Sequence, residues 1–276
     1  MPFSLRSVGH RRVEADPGRS AAPPRRGRIT DFVQLFWCVS GQGYLTIHDE
    51  DVPLRRRAVA VLLPGMQHHY YALRKAWEYR WVTIDGPLAT ALIEGFGFQC
   101  RPFKVGACPE RLFRRLYNCM QRVDPIGEKL ATVKLYNLLV YIAVRIGNPI
   151  PAKGDKGEVL AEQARAAIRD TFDDSRVGIG QIAAGLGVNR SVLTRQFKRF
   201  TGLAPKEYMA LLRLQKVFSL LKETDLPITD VSELAGFSNS NYMAKFFSKR
   251  MGQSPSEFRE RFQYPSANTA PALRRA

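Results

Sequence analysis

Ile179 to Phe200 reads IGQIAAGLGVNRSVLTRQFKRF, and Ile228 to Arg250 reads ITDVSELAGFSNSNYMAKFFSKR. In the first stretch Ile182, Ala183 and Leu186 give a short helix one apolar edge. Gly187 stops it, because a left-handed turn residue is least strained as glycine. Asn189 or Ser191 is placed to cap a second helix in which Leu193 and Phe197 point inward together. Arg190, Thr194, Arg195 and Lys198 are left on its outer face. The second stretch repeats the plan. Ile228, Val231 and Leu234 or Ala235 form the short helix, and Gly236 closes it. Ser238 or Asn239 caps the next, with Met243 and Phe247 inward and Ser240, Asn241, Ala244, Lys245 and Lys249 outward. Aligning Gly187 with Gly236 gives a 49-residue repeat. Between the copies, Pro205 to Thr224 reads as one long helix with proline in its first turn.

A short helix bracing a second one with a narrow, basic outer face fits the major groove of DNA. From Arg190 to Lys206 there are five basic residues and no acidic one. Two such units joined rigidly would reach successive major-groove faces, ~34 Å apart. Ordinary helical hairpins in a core would not explain why both copies place glycine at the turn and keep acids off the second helix.

The whole chain agrees. Its 276 residues suffice for two domains, and 45% hydrophobic and 11% aromatic content is that of a folded protein. The formal charge of +17 implies a polyanionic partner, nucleic acid or an anionic membrane surface. Cys38, Cys100, Cys108 and Cys119 show no metal-ligand spacing and read as reduced thiols of a cytoplasmic chain. No apolar run is long enough for a membrane helix, and no secretory signal is evident.

Toward the N-terminus the texture changes. Phe32 to Val39, Tyr44 to His48, Val59 to Leu63 and Tyr79 to Ile84 read as short strands broken by turns, which suggests a β-sandwich or barrel. Leu45 and Ile47 should face one side. From Pro109 a helix carries Leu112, Phe113, Leu116, Tyr117 and Met120. A second runs from about Glu128 to Arg145, and its stripe, widened by Leu135, Leu138 and Ile142, either packs on its own domain or forms a dimer face, with the balance slightly towards the dimer. The expected order is a basic arm over 1–28 holding seven arginines, a sensing domain over 29–107 and a helical pair over 108–147. A linker over 148–158, a DNA-binding domain over 159–262 and a disordered tail over 263–276 follow.

The C-terminal residues resemble the AraC/XylS transcription regulators. The match runs through I-A-x-x-L-G-V at Ile182 to Val188, L-x-R-x-F-K at Leu193 to Lys198, and T-G-x-x-P-x-x-Y at Thr201 to Tyr208. It continues through R-L at Arg213-Leu214 and P-I at Pro227-Ile228. It closes with G-F-S-x-x-x-Y at Gly236 to Tyr242 and G-x-S-P-S-E-F-R at Gly252 to Arg259. Ser232, Met243 and Ser248 depart from the family's usual Ala, Phe and basic residue. The resemblance implies base contacts from Ser191, Thr194 and Arg195 in the first unit and Ser240, Asn241 and Lys245 in the second. Arg195 suits guanine and Asn241 adenine. Arg190, Lys198, Arg199, Lys249 and Arg250 are expected at phosphates.

The β-rich half is similar to the same family's cupin-type ligand-binding barrel, through S-G-Q-G-Y at Ser40 to Tyr44, L-P-G-M-Q-H-H-Y at Leu63 to Tyr70 and W-E-Y-R-W-V at Trp77 to Val82. The fold class implied is α+β, a β-barrel of cupin or jelly-roll type with following helices and then an all-α double helix-turn-helix domain. By position in this resemblance, Arg11, Tyr70, Tyr79 and Trp81 are the effector-binding candidates. A cupin metal enzyme with an accessory DNA-binding domain is the rival. It lacks the His-x-His with a following Glu, and of His68 and His69, adjacent on a strand, only one can face inward. No cofactor, metal or catalytic residue is therefore expected. A third reading is a charge-driven binder indifferent to sequence. The favoured reading is an effector-controlled regulator, an activator by resemblance, with double-stranded DNA, RNA polymerase and a second copy of itself as partners. The arginine-rich start is either an arm folding over another part of the protein or a frayed tail.

Overall fold

The computed structural model describes residues 2–15, 27–47, 50–72, 76–122, 124–146 and 155–263. They divide into two compact units, 1–162 with 194–204, and 163–193 with 205–276. Arg19, Arg25, Arg26, His48, most of the expected linker and the tail lie outside the described residues.

The first unit begins with strand β1 (Ser4–Val13). Arg6, Arg11 and Arg12 thus belong to a sheet, which corrects that part of the expected arm. β1 pairs antiparallel with β7 (Trp77–Asp85), and β7 pairs with β2 (Val33–Ser40). β5 (Ala58–Leu62) and the two-residue β8 (Phe103–Lys104) complete a sheet ordered β1-β7-β2-β5-β8. A second sheet has β3 (Gln42–Ile47) between β4 (Glu50–Arg55) and β6 (His68–Ala72). Among the described residues the strands pair as two separate sheets of five and three, and the pairing shows no ring closure. Leu45 and Ile47 are buried, as the alternation of β3 requires.

After helix α1 (Ala89–Gly95) come α2 (Glu110–Met120) and α3 (Pro125–Ile146). α3 starts three residues before the expected Glu128. The Asp124 carboxylate accepts from the Gly127 amide at 2.5 Å, and Pro125 needs no amide partner in the first turn. α2 and α3 cover one face of the five-stranded sheet. Arg80 of β7 forms an ion pair with Glu110, and the Trp37 ring lies 6.3 Å from Phe113 and 6.1 Å from Tyr141.

Leu135, Leu138, Leu139 and Ile142 are fully buried. The stripe expected as a dimer face is therefore the inward face of α3. The solvent face carries a different series, Ile126, Leu130, Val133, Val140 and Val144, exposed by 37–71%. Their spacing of four and three, with exposed Asn137 in the remaining place, is a heptad pattern.

The helical remainder comprises α4 (Lys156–Thr171), α5 (Ile179–Gly185), α6 (Arg190–Thr201), α7 (Pro205–Glu223), α8 (Ile228–Leu234), α9 (Ser240–Met251) and α10 (Pro255–Gln263). The second unit's core gathers Leu214, Val217, Phe218 and Leu221 of α7 with Val231, Met243, Phe247 and Phe258. Phe218, Phe247 and Phe258 form an aromatic triad with centroids 5.4–5.7 Å apart.

Candidate functional site

The repeat read from the sequence is present bond for bond at the turns. In the first copy the Gly187 amide donates to Ala184 O and the Val188 amide to Ala183 O, both at 3.0 Å. In the second, Gly236 donates to Glu233 O at 2.9 Å and Phe237 to Ser232 O at 3.0 Å. This pair of bonds closes a helix through a left-handed residue, and φ is 68° at Gly187 and 79° at Gly236.

Beyond the turns the copies differ by one residue. The glycines are 49 apart, whereas α6 and α9 start at Arg190 and Ser240, 50 apart. Asn239 caps α9 by accepting from the Tyr242 amide at 3.0 Å. At α6, Asn189 accepts at 2.9 Å from the Ser191 amide and at 2.7 Å from the Ser191 hydroxyl. The inward pairs are equivalent all the same, since Leu193, Phe197, Met243 and Phe247 are all fully buried.

On the outward faces, Ser191, Arg195, Asn241 and Lys245 are exposed, and Thr194 and Ser240 are half-buried. Ser191 gives its hydroxyl proton to the cap and keeps only acceptor capacity. Among the residues expected at phosphates, Arg190, Arg199 and Lys249 are exposed, and Lys198 and Arg250 half-buried. Arg199 lies 3.5 Å from Asp155, and the Arg250 guanidinium rests 4.5 Å from the Phe246 ring centroid. Burial lowers the Arg250 pKa from its ordinary value.

One structural residue escaped the sequence reading. Arg213 of α7 donates from Nε to Phe172 O at 2.6 Å and from a terminal nitrogen to Asp174 O at 3.2 Å. Gly236 faces the same loop: a Cβ there would collide with Phe172 O and sit 2.7 Å from Asp173 Cα. Arg213 was legible only as a motif residue, since the carbonyls it serves are about forty residues away.

In the first unit, the sheet face opposite α2 and α3 lines a cavity of about 240 Å³. Register builds its wall. Arg11 stands opposite Tyr79, Gly9 opposite Trp81 beside Phe36, and Ser7 opposite Thr83 beside Gln34. Gly9 has a steric role, because a Cβ there would enter the Trp81 indole. Arg28, Phe32 and Tyr70 supply the remaining lining. All four effector candidates, Arg11, Tyr70, Tyr79 and Trp81, line this one space, while Ser7, Arg28, Phe32, Gln34, Phe36 and Thr83 were not foreseen.

His68, one of the adjacent pair, is buried behind Arg28, whereas His69 is half-buried. His68 Nδ1 lies 3.0 Å from Met66 O, and a carbonyl can only accept, so Nδ1 carries the proton. Nε2 then accepts from Arg28 Nε at 3.2 Å. Burial foremost, with the Arg28 charge adding, lowers the His68 pKa to about 4, so the ring stays neutral at physiological pH. Burial also raises the Tyr79 pKa, together with its hydrogen bond to Tyr70, against the opposing charges of Arg11 and Arg28. Among the described residues no group of three His, Cys, Asp or Glu side chains is placed to hold a metal. No helix there is long and apolar enough to cross a membrane.

A sheet domain with a cavity, followed by two helix-turn-helix units, defines a ligand-responsive DNA-binding regulator. Residues 11–139 match the AraC-like ligand binding domain, and residues 182–261 match a helix-turn-helix domain. The chain belongs to the AraC family of transcription regulators. It is 26% identical over 264 residues to the Msm operon regulatory protein of Streptococcus mutans, covering 93% of both chains. It is 26% identical to the MmsAB operon regulatory protein of Pseudomonas aeruginosa, covering 92% of this chain and 82% of that one. The RhaS transcriptional activator of an Enterobacter species is 32% identical over 149 residues, 53% of each chain. ToxT of Vibrio cholerae shares the fold, with a TM-score of 0.50 at 13% identity over 95% of this chain and 99% of that one. These comparisons give the cupin-enzyme reading no support.

Proposed function

We propose that this regulator activates transcription in the cytoplasm as a homodimer, reading DNA with α6 and α9 and responding to a small molecule held in the cavity. The observation that carries the DNA reading is the repeat, in which two turns share one hydrogen-bond pattern and present two capped helices with basic outer faces. Ser191, Thr194 and Arg195 read bases from α6, and Ser240, Asn241 and Lys245 read them from α9. Arg190, Lys198, Arg199 and Lys249 hold phosphates. Arg250 contributes less than its sequence position suggests, because its guanidinium is engaged over Phe246. Activation follows the RhaS name, and RNA polymerase is the partner such a role requires.

The dimer reading rests on the solvent face of α3. Ile126, Val133 and Val140 are β-branched at one heptad position, Leu130 and Val144 occupy the other, and exposed Asn137 supplies the polar residue that, once covered by a paired helix, fixes register. The occupant is the same helix of a second copy. The protein should sediment as a dimer, and Val133→Asp should shift it to monomer; a wild-type monomer at micromolar concentration would reject this interface.

Selection of duplex DNA from a random pool at fixed moderate salt tests the DNA reading. The expected product is a motif with two conserved blocks about one helical turn apart. A pool that stays random with and without cavity ligands, with a steep salt slope, would assign the charge to nonspecific binding instead.

A further inference from the structure

The cavity has a charge imbalance that the rest of β1 and β7 lacks. The other basic side chains of β1 and β7 each meet a carboxylate: Arg6 pairs with Asp85 at 2.8 Å, His10 with Glu78 at 2.7 Å, Arg12 with Glu14 at 2.7 Å, and Arg80 with Glu110. Arg11 and Arg28 meet none among the described residues, and no Asp or Glu is in the cavity lining.

Arg28 is nevertheless held in place. Its Nε is fixed on His68 and one terminal nitrogen on Gln34 Oε1 at 3.2 Å, and its guanidinium lies 5.1 Å from the Tyr70 ring centroid. All these partners are neutral. They orient the guanidinium without cancelling its charge, and among the described residues its second terminal nitrogen is left to donate elsewhere. A cation held by neutral partners at the wall of a cavity is a prepared site for an anion.

The other walls limit what the anion carries. Phe32, Phe36, Tyr70, Tyr79 and Trp81 present ring faces and edges, while Ser7, Gln34 and Thr83 provide a few neutral polar groups. At about 30 Å³ per water the space holds roughly eight waters, and it falls below the ~300–1,000 Å³ of sites for drug-sized molecules. The space favours a small effector over a long acyl chain or a nucleotide.

We propose that the effector is a small carboxylic acid bearing a single flat ring, its carboxylate held by Arg28 and Arg11 and its ring against Trp81 and Tyr70. This rests on the reading of the cavity as the effector site. His68 acts as a positioning residue for Arg28 and does not touch the ligand.

The test uses the full chain and matched probe pairs: benzoate with benzamide, 4-hydroxybenzoate with 4-hydroxybenzyl alcohol, and glucuronate with glucose. Binding is read by the change in melting temperature and by tryptophan fluorescence, with Trp81→Phe identifying the signal of the cavity. An aromatic acid is expected to bind at least tenfold more tightly than its uncharged counterpart. Arg28→Gln and Arg11→Gln should each erase that preference, measured against the variant's own unliganded melting temperature, and Arg28→Lys should restore part of it. Uncharged members binding as well as the acids would overturn the proposal while leaving the cavity an effector site. Glucuronate binding in preference to the aromatic acids would overturn the flat ring. Acid binding unchanged by both arginine variants would place the acids elsewhere and overturn it too. Silence from every probe in both readouts would overturn the proposal and count against the effector reading itself.

Discussion

The two helix-turn-helix copies share a backbone plan and differ in what surrounds it. At Gly187 an added Cβ would meet nothing within 4 Å, whereas at Gly236 it would run into the main chain of Phe172 and Asp173. Ala183 in the first copy corresponds to Ser232 in the second, and both are buried, but the Ser232 hydroxyl has no hydrogen-bond partner among the described residues. α5 begins with the Gln181 side chain accepting from the Gly178 amide at 2.7 Å, while α8 begins after Pro227 without a side-chain cap. One turn needs glycine for its dihedral angle alone; the other needs it for its dihedral angle and for space.

The largest expected effect is in the second copy's aromatic triad. Phe247→Ala removes a fully buried ring and should cost ~3–5 kcal/mol in denaturant unfolding. A cost below about 1 kcal/mol would mean that the triad does not organise this copy. The glycines come next. Gly187→Ala should cost ~1–2 kcal/mol for the left-handed conformation. Gly236→Ala adds overpacking of ~1–3 kcal/mol to the same strain, and equal costs at the two sites would break the contrast.

On DNA, Arg195→Ala should lose ~1–3 kcal/mol at its cognate base and relax specificity there. Lys245 is a point charge without a planar fork. Its loss should cost less than that of Arg195 and relax specificity at its own base, and binding measured on sites mutated block by block assigns each loss to its block. The smallest effect has the opposite sign. Ser232→Ala removes an unpartnered buried hydroxyl and should stabilise the protein by ~1 kcal/mol, while Ala183→Ser should destabilise the first copy by a similar amount.

Much of this was legible in the sequence because it is local. Helical period, the turn glycines and the capping asparagines each act within about four residues, so both copies and α7 could be read directly. The strands with aromatic or β-branched runs, β2, β3, β5 and β7, were readable for the same reason. β1 was not, because SLRSVGHRRV is mostly polar and rich in arginine. Its partner β7 gives it a reason to be a strand, and that partner lies some seventy residues away.

The cavity divides along the same line. Arg11, Tyr70, Tyr79 and Trp81 came from family position, while Ser7, Gln34 and Thr83 reach one wall only through the cross-strand register of three strands. Alternation gave one usable hint, since Ser7, Gly9 and Arg11 share a face, as do Tyr79, Trp81 and Thr83. In α3 an apolar residue is available on nearly every side. Composition could not say which stripe faces inward, so for Leu135, Leu138 and Ile142 it left packing within the domain and a dimer face both open, and burial decides for the former.

The loop at Phe172 to Asp174 has a consequence for how this protein can change its target. It supports the second copy through main-chain atoms, carbonyls taken by Arg213 and backbone against which Gly236 closes. Asn241 and Lys245 are exposed, and neither contributes to that mount. The proposed reading head of α9 is thus exchangeable: its outward letters can drift, or be rewritten by an experimenter, without disturbing the loop beneath. A change of operator is open to single substitutions on α9, whereas loss of Arg213 or Gly236 would remove the frame that any operator needs.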